Sequence, residues 1–247
     1  MTGTIINVVT VIIGGTLGTF LGARLPQKMR ETVMHGLGLL VFVIGLQMAL
    51  SSHNILIVMA SILVGGLIGE AVGIQAWLDS LGRNLEQRFA SGQRPRELGV
   101  GGEAGKFTRG FVTASLVFCI GPLAILGSIQ DGLIGDFNLL AIKSMLDGFA
   151  GLAFASTLGV GVAFAALSVL VYQGGISLAA MLVGSVLGAV TRETPWVIEM
   201  SATGGVLIMG ISLLLLDLKQ VRIANLLPAV FIAPLIVVVL AALGFKV

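Results

Sequence analysis

The chain has 247 residues, of which 56% are hydrophobic and only 11% charged, with a mean hydropathy of +1.06. A soluble domain carries about 25% charge, so composition excludes that class, and a formal net charge of +2 from interleaved acids and bases does not make the basic face that a nucleic acid needs. Apolar runs long enough to cross a bilayer, about 20 residues each, recur along the chain and predict an all-α polytopic membrane protein.

Taken in order, the pattern predicts eight spans at roughly 4–24, 33–51, 54–73, 107–133, 138–172, 175–191, 196–217 and 222–245. The opening MTGTIIN lacks a basic n-region and a small-residue cleavage site before Arg24, so it reads as a retained span rather than a signal peptide. Between the third and fourth spans, Ile74, Trp77, Leu78, Leu81, Leu85 and Phe89 recur at helical spacing, with Asp79, Arg83, Glu86 and Arg88 on other faces. That pattern predicts an interfacial amphipathic helix. The stretch SGQRPRELGVGGEAGK behind it has the composition of a flexible linker, so residues 74–106 read as a cytoplasmic insert in a single transmembrane domain, 1–247. GGEAGK within it lacks the spacing of a phosphate-binding loop.

Charge sets the direction. With the N-terminus outside, Arg24, Lys28, Arg30, Arg83, Arg88, Arg94, Arg96, Lys106, Arg109, Lys219 and Arg222 fall in the cytoplasm. Only Lys143, Arg192 and Lys246 of the 14 basic residues fall outside. The positive-inside rule therefore puts both termini outside.

Weak internal repeats run through the spans. GGTLG (from Gly14) matches GSVLG (from Gly184), and HGLGLLVFVIGLQMAL (from His35) matches SATGGVLIMGISLLLL (from Ser201). Spans 1–3 thus resemble spans 6–8. GFVTASLVFCIGP (from Gly110) aligns without gaps on GFAGLAFASTLGV (from Gly148), which relates span 4 to span 5 and Gly121 to Gly159. Each pair lies an odd number of spans apart, the parity of an inverted-topology repeat.

The repeat frames the candidate site. Gly121-Pro122 interrupts span 4, because proline lacks a backbone donor and clashes with the carbonyl one turn back. Gly159-Val160-Gly161 is its expected twin in span 5, giving two broken helices at mid-membrane. Backbone groups freed there must be buried in protein or line a polar cavity. Candidate substrate- or ion-binding residues are therefore Cys119, Gly121, Pro122 and Gln130 on span 4, and Ser156, Thr157, Gly159 and Gly161 on span 5. Ionisable groups inside a membrane are costly and usually functional. Asp147 is the favoured ion or proton site with Lys143 (i,i+4) as its partner, and Asp131 ends span 4 on the same side. Glu70, at the cytoplasmic edge, reads as reaching the headgroups. The lone Cys119 excludes a disulfide or cysteine metal cluster. His35 and His53 lie at span ends without a metalloprotease context, so no metal, cofactor or catalytic residue is assigned.

FCIGPLAILGSIQDGLIGD, KSMLDGFAGLAFASTLG, ATGGVLIMGISLLLLDLKQVRIANLLPA and the opening GGTLGTFLGARLP together resemble the YqgA/YdfK-type bacterial membrane proteins, a family of unknown function, over essentially the whole chain. The resemblance implies a bacterial cytoplasmic-membrane protein and carries over no substrate or active site. Independently of it, the residues point to a small secondary transporter or ion-coupled permease working by alternating access. The alternatives are an ion channel or a membrane scaffold, and no enzyme is expected. The partners expected are the lipid bilayer and a small solute or ion, with no nucleic acid; the glycine-rich faces permit a homodimer.

Overall fold

The computed structural model describes residues 1–24, 26–89, 103–187, 191 and 193–244. Most of the expected linker, the end of GSVLG, Arg192 and Lys246 lie outside the described residues. Ten α-helices are described: α1 (Thr2–Gly22), α2 (Gln27–Ala49), α3 (Ile55–Val72), α4 (Ile74–Phe89), α5 (Glu103–Cys119), α6 (Pro122–Leu133), α7 (Asn138–Leu158), α8 (Gly161–Leu187), α9 (Pro195–Leu215) and α10 (Pro228–Ala242). A 3-10 turn, Ile223–Leu226, precedes α10. No strand occurs among the described residues. Among the described residues seven helices are individually long and apolar enough to cross a membrane, and α5 with α6, bent by 63°, passes the same test as a pair.

Local chemistry explains the boundaries. Asn54 caps α3 from an extended backbone, accepting from the Leu56 N–H at 3.2 Å, which occupies an otherwise orphan donor. Gly73, at φ 73°, ends α3 in the left-handed conformation that glycine adopts without strain, and α4 begins at the next residue. Pro122, Pro195 and Pro228 open α6, α9 and α10, where the missing N–H costs nothing.

The chain forms two compact units. The first comprises Met1–His35, Ala76–Cys119 and Leu123–Val186. Within it α1 and α7 run parallel at backbone contact: a Cβ added at Gly14, Gly18 or Gly22 would fall on the carbonyl oxygen of Gly148, Leu152 or Ser156 in turn. The glycine stripe of α1 is thus used inside the chain, as close-packed membrane helices require. Against α1, α8 runs the opposite way, with Gly15 facing Ala163 and Gly174 facing Thr4 and Met1. The bent pair α5–α6 follows α8 in the same direction. Gly161 meets the Phe107 carbonyl, the Ser115 hydroxyl donates to Ser168 at 2.8 Å and the Ser177 hydroxyl donates to the Ser128 carbonyl at 2.9 Å. The pair therefore follows α8 along its length, with its bend at Gly121-Pro122. The face of α4 at Gly82 packs on Thr108 and Phe111 of α5, and the Thr108 hydroxyl donates to Glu86 at 2.9 Å.

These directions correct the span division. The long fifth segment, 138–172, is two helices running in opposite senses, joined at Gly159, which has φ 81°. Gly159-Val160-Gly161 is consequently the turn of a helical hairpin at the end of two spans, not a second break at mid-membrane. A glycine at positive φ followed by the Val160 turn reverses the chain; the sequence match to Gly121 compared a turn with a bend. Gly121 itself has no positive φ, so its interruption follows from the proline after it.

The second unit comprises Gly36–Gln75, Ile120–Pro122 and Leu187–Val247. In it α2 packs antiparallel to α9 through Gly45 and Gly205, and α3 antiparallel to α10 through Gly65 against Ala229. Ile57, Ala233 and Val237 form a buried cluster flanked by Trp196, Ile236 and Leu240. Glu70, still exposed, pairs with Arg222 and accepts from Asn225 Nδ2 at 2.6 Å.

Candidate functional site: a buried polar cluster in the first unit

Lys143 and Asp147 lie one turn apart on α7, and the Lys143 ammonium donates to Asp147 Oδ2. They are 6% and 8% exposed. An isolated charge at the centre of a membrane helix costs about 2.5–3.5 kcal/mol or more, so the pair survives only because each charge has a partner. Asp147 lies nine residues into α7, about 13 Å along the axis at 1.5 Å per residue.

Two further helices supply amides to the pair. Asn7, on α1, donates through Nδ2 to Asp147 Oδ2 at 2.9 Å and to Gln173 Oε1, on α8, at 3.2 Å. Thr4 lies one turn before Asn7 on α1, and Ser144 lies on α7. All four residues are 0% exposed. The Ser144 hydroxyl is occupied by the Leu140 carbonyl at 2.6 Å. Thr4 Oγ1, Asn7 Oδ1 and Gln173 Nε2 find no hydrogen-bond partner among the described residues. The cluster thus joins one cation, one anion and two amides, with hydrogen-bonding capacity left over.

Asp131 sits apart, at the end of α6. It accepts from the Met1 amine and from the Gly3 N–H, both at 3.1 Å, and so caps the first turn of α1, where orphan donors and the helix dipole favour an anion. The first two turns of α1 therefore run between two carboxylates, Asp131 and Asp147.

Of the other expected site residues, Ser156, Thr157, Gly159 and Gly161 lie at or beyond the opposite end of α7 from this cluster, whereas Cys119 is near enough to Lys143 and Asp147 to feel both charges. Ser156 and Thr157 are buried in the last turn of α7, where their hydroxyls donate to the carbonyls of Ala153 at 2.7 Å and Phe154 at 2.9 Å. Gly159 forms the hairpin turn, and Gly161 lets α8 pass against the Phe107 carbonyl. Cys119 ends α5 and is half-buried, Gly121 lies in the bend, Pro122 opens α6, and Gln130 is half-buried beside Asp131.

Asn7, Gln173 and Thr4 escaped the sequence reading. Asn7 was legible as a lone amide in IINVVTVII. Gln173 was hidden by the expected boundary at 172–175, which put it in a loop; in the structure it lies near the middle of α8.

The comparisons with known proteins agree with this membrane architecture. The chain is 31% identical to the uncharacterized membrane protein YdfK of Bacillus subtilis (strain 168), over 251 residues that cover 100% of both chains. It is 28% identical to the uncharacterized protein YqgA of Escherichia coli (strain K12), over 233 residues covering 94% of each. No solved structure matches. Residues 2–238 match the family described as "Protein of unknown function (DUF554)". This multi-pass membrane protein, with its paired charges held inside a helix bundle, belongs to that DUF554 family.

Proposed function

We propose that the protein is a small secondary transporter or ion-coupled permease, and that the Asn7–Lys143–Asp147–Gln173 cluster is its binding site. One observation carries this reading. Buried ionisable groups among membrane helices are retained at a cost in stability, and here they sit beside polar atoms that the fold leaves unpaired. A scaffold would gain more by replacing the ion pair with well-packed apolar side chains.

Helix directions support an inverted repeat as the framework for alternating access. α1 runs opposite to α8, α2 to α9, α3 to α10, and α5–α6 to α7, which is the relation that a pseudo-two-fold axis in the membrane plane requires. The basic-residue bias supports both termini outside a bacterial cytoplasmic membrane.

The test is reconstitution of the full chain in liposomes that hold a pH-sensitive dye, followed by imposed gradients of sodium, potassium or choline chloride. Wild type and Arg222→Ala are expected to support cation-dependent flux, and Asp147→Asn to abolish it. Flux equal to that of protein-free vesicles in every gradient would remove the carrier reading.

A further inference from the structure

The residues that carry the three unpaired atoms are neighbours. Thr4 and Asn7 are one turn apart on α1, Asn7 bonds Gln173 at 3.2 Å, and a Cβ added at Gly174, the next residue of α8, would lie 3.9 Å from Thr4 Cγ2. They therefore line one seam between α1 and α8, beside the Asp147 carboxylate. Buried polar atoms without partners are rare and unfavourable, so this seam has hydrogen-bonding capacity for a group that the protein itself does not supply.

Resting on the carrier reading above, we propose that this seam binds a small monovalent cation of about sodium's size, and that the Lys143 ammonium is its tethered stand-in on Asp147. Thr4 Oγ1, Asn7 Oδ1 and the Asp147 carboxylate are hard oxygen ligands, the kind that hard cations select. One carboxylate balances one positive charge; a divalent ion would leave a buried charge uncompensated. The described residues hold no group of three His, Cys, Asp or Glu side chains suited to a metal. Gln173 Nε2 is a donor and suits the oxygen of a water that the ion retains. Complete burial of Thr4, Asn7 and Gln173 suits a nearly bare ion rather than a bulky organic solute.

Charge balance dictates how the ion enters. The resting cluster is neutral, with Lys143 positive and Asp147 negative. A cation added beside the ammonium would leave a net charge in the bundle, so the ammonium must leave the carboxylate. Lys143 lies one turn nearer the start of α7 than Asp147, and its long stem lets the ammonium snorkel to the aqueous edge. The bound states then alternate between tethered ammonium and free cation, with the same net charge in the cluster.

The experiment is equilibrium binding of radiolabelled sodium to the purified full chain in nanodiscs, paired with thermal unfolding in sodium, lithium, potassium, methylammonium or choline chloride. Wild type is expected to bind sodium saturably and weakly, and Lys143→Gln to bind it several-fold more tightly because the competitor is gone. Lys143→Gln should also unfold at a temperature that rises with sodium but not with choline, since a ligand that binds only the folded state stabilises it. Thr4→Val, which removes an unpaired hydroxyl, should fold at least as well as wild type yet bind sodium less tightly. A preference for methylammonium over sodium would overturn the sodium-sized assignment. So would a Lys143→Gln protein, or a folded wild type if that variant does not fold, that binds no sodium above the choline background. Sodium binding without flux in liposomes would keep this inference and remove the carrier. Asp147-dependent flux without cation binding would do the reverse.

Discussion

Asn7 on α1 and Asp147 on α7 are joined by one hydrogen bond, Nδ2 to Oδ2 at 2.9 Å, between two helices that run parallel at backbone contact. The same amide reaches Gln173 at 3.2 Å, so Asn7 links three helices. Replacing Asn7 by Leu leaves Asp147 with one donor fewer, at a cost of about 1–3 kcal/mol. Gln173→Leu removes the more distant acceptor but also an unpaired donor, so it should cost less. A double-mutant cycle between them should give a coupling near the roughly 0.6 kcal/mol average of membrane hydrogen bonds and below about 1.7 kcal/mol. If Gln173→Leu proved the more damaging in reversible unfolding, Asn7 would not be the principal support of Asp147.

The hydroxyls at the far end of α7 lead to a contrasting expectation. Thr157 donates to the Phe154 carbonyl at 2.9 Å and Ser156 to that of Ala153 at 2.7 Å. Their donors are used within their own helix, the usual fate of serine and threonine there. Ser156→Ala and Thr157→Val should each leave ion flux unchanged and cost no more than the roughly 0.5–1.5 kcal/mol of one hydrogen bond. A loss of flux with normal folding in either variant would return the site to the hairpin end.

Much of the fold was legible in the sequence because hydropathy and proline act locally. The apolar runs marked the seven to eight candidate crossings, KSMLDG announced the ion pair by its i,i+4 spacing, and Pro122 marked the bend. What local pattern could not provide was a reversal of direction inside an unbroken apolar run. Gly159 makes that turn with no polar residue in Leu158–Val162, so 138–172 read as one overlong span. The error spread from there, leaving Gln173 in an expected loop and turning a hairpin into a twin break. Asn7 and Thr4 were hidden for another reason: one amide or hydroxyl in an apolar run gains meaning only from the helix it faces, and that pairing is long-range.

The α1–α7 seam allows a direct test of close packing. At Gly18 an added Cβ would meet the O, C and Cα atoms of Leu152, backbone that cannot swing aside. Gly18→Val should therefore destabilise by at least the 1–3 kcal/mol typical of overpacking, about as much as a small core tolerates. At Gly36, on α2, nothing lies within 4 Å of the added Cβ, and Gly36→Ala should be neutral or stabilising by roughly 0.5–1 kcal/mol through helix propensity. Equal melting temperatures for the two variants in detergent would refute the backbone contact.

The second unit contains a cap whose loss should be local. Glu199, 1% exposed on α9, accepts from the Ser52 hydroxyl at 2.7 Å, the His53 N–H at 2.8 Å and the Asn54 N–H at 3.0 Å. It thereby satisfies the donors just ahead of α3, where the helix dipole also favours a negative charge. Glu199→Ala strands the Ser52 hydroxyl and the His53 N–H, each at about 1–3 kcal/mol if water cannot reach it, and leaves the Asn54 N–H with only the Ser52 oxygen at 3.1 Å. Glu199→Gln keeps one carbonyl acceptor and leaves Ser52 free to turn and accept from the new amide, so it should cost much less. Hydrogen exchange locates the effect: the His53 and Asn54 amides should lose protection strongly in Glu199→Ala, slightly in Glu199→Gln, while those of α7 keep theirs. If protection at His53 and Asn54 were the same in all three proteins, the carboxylate would not be what holds the start of α3.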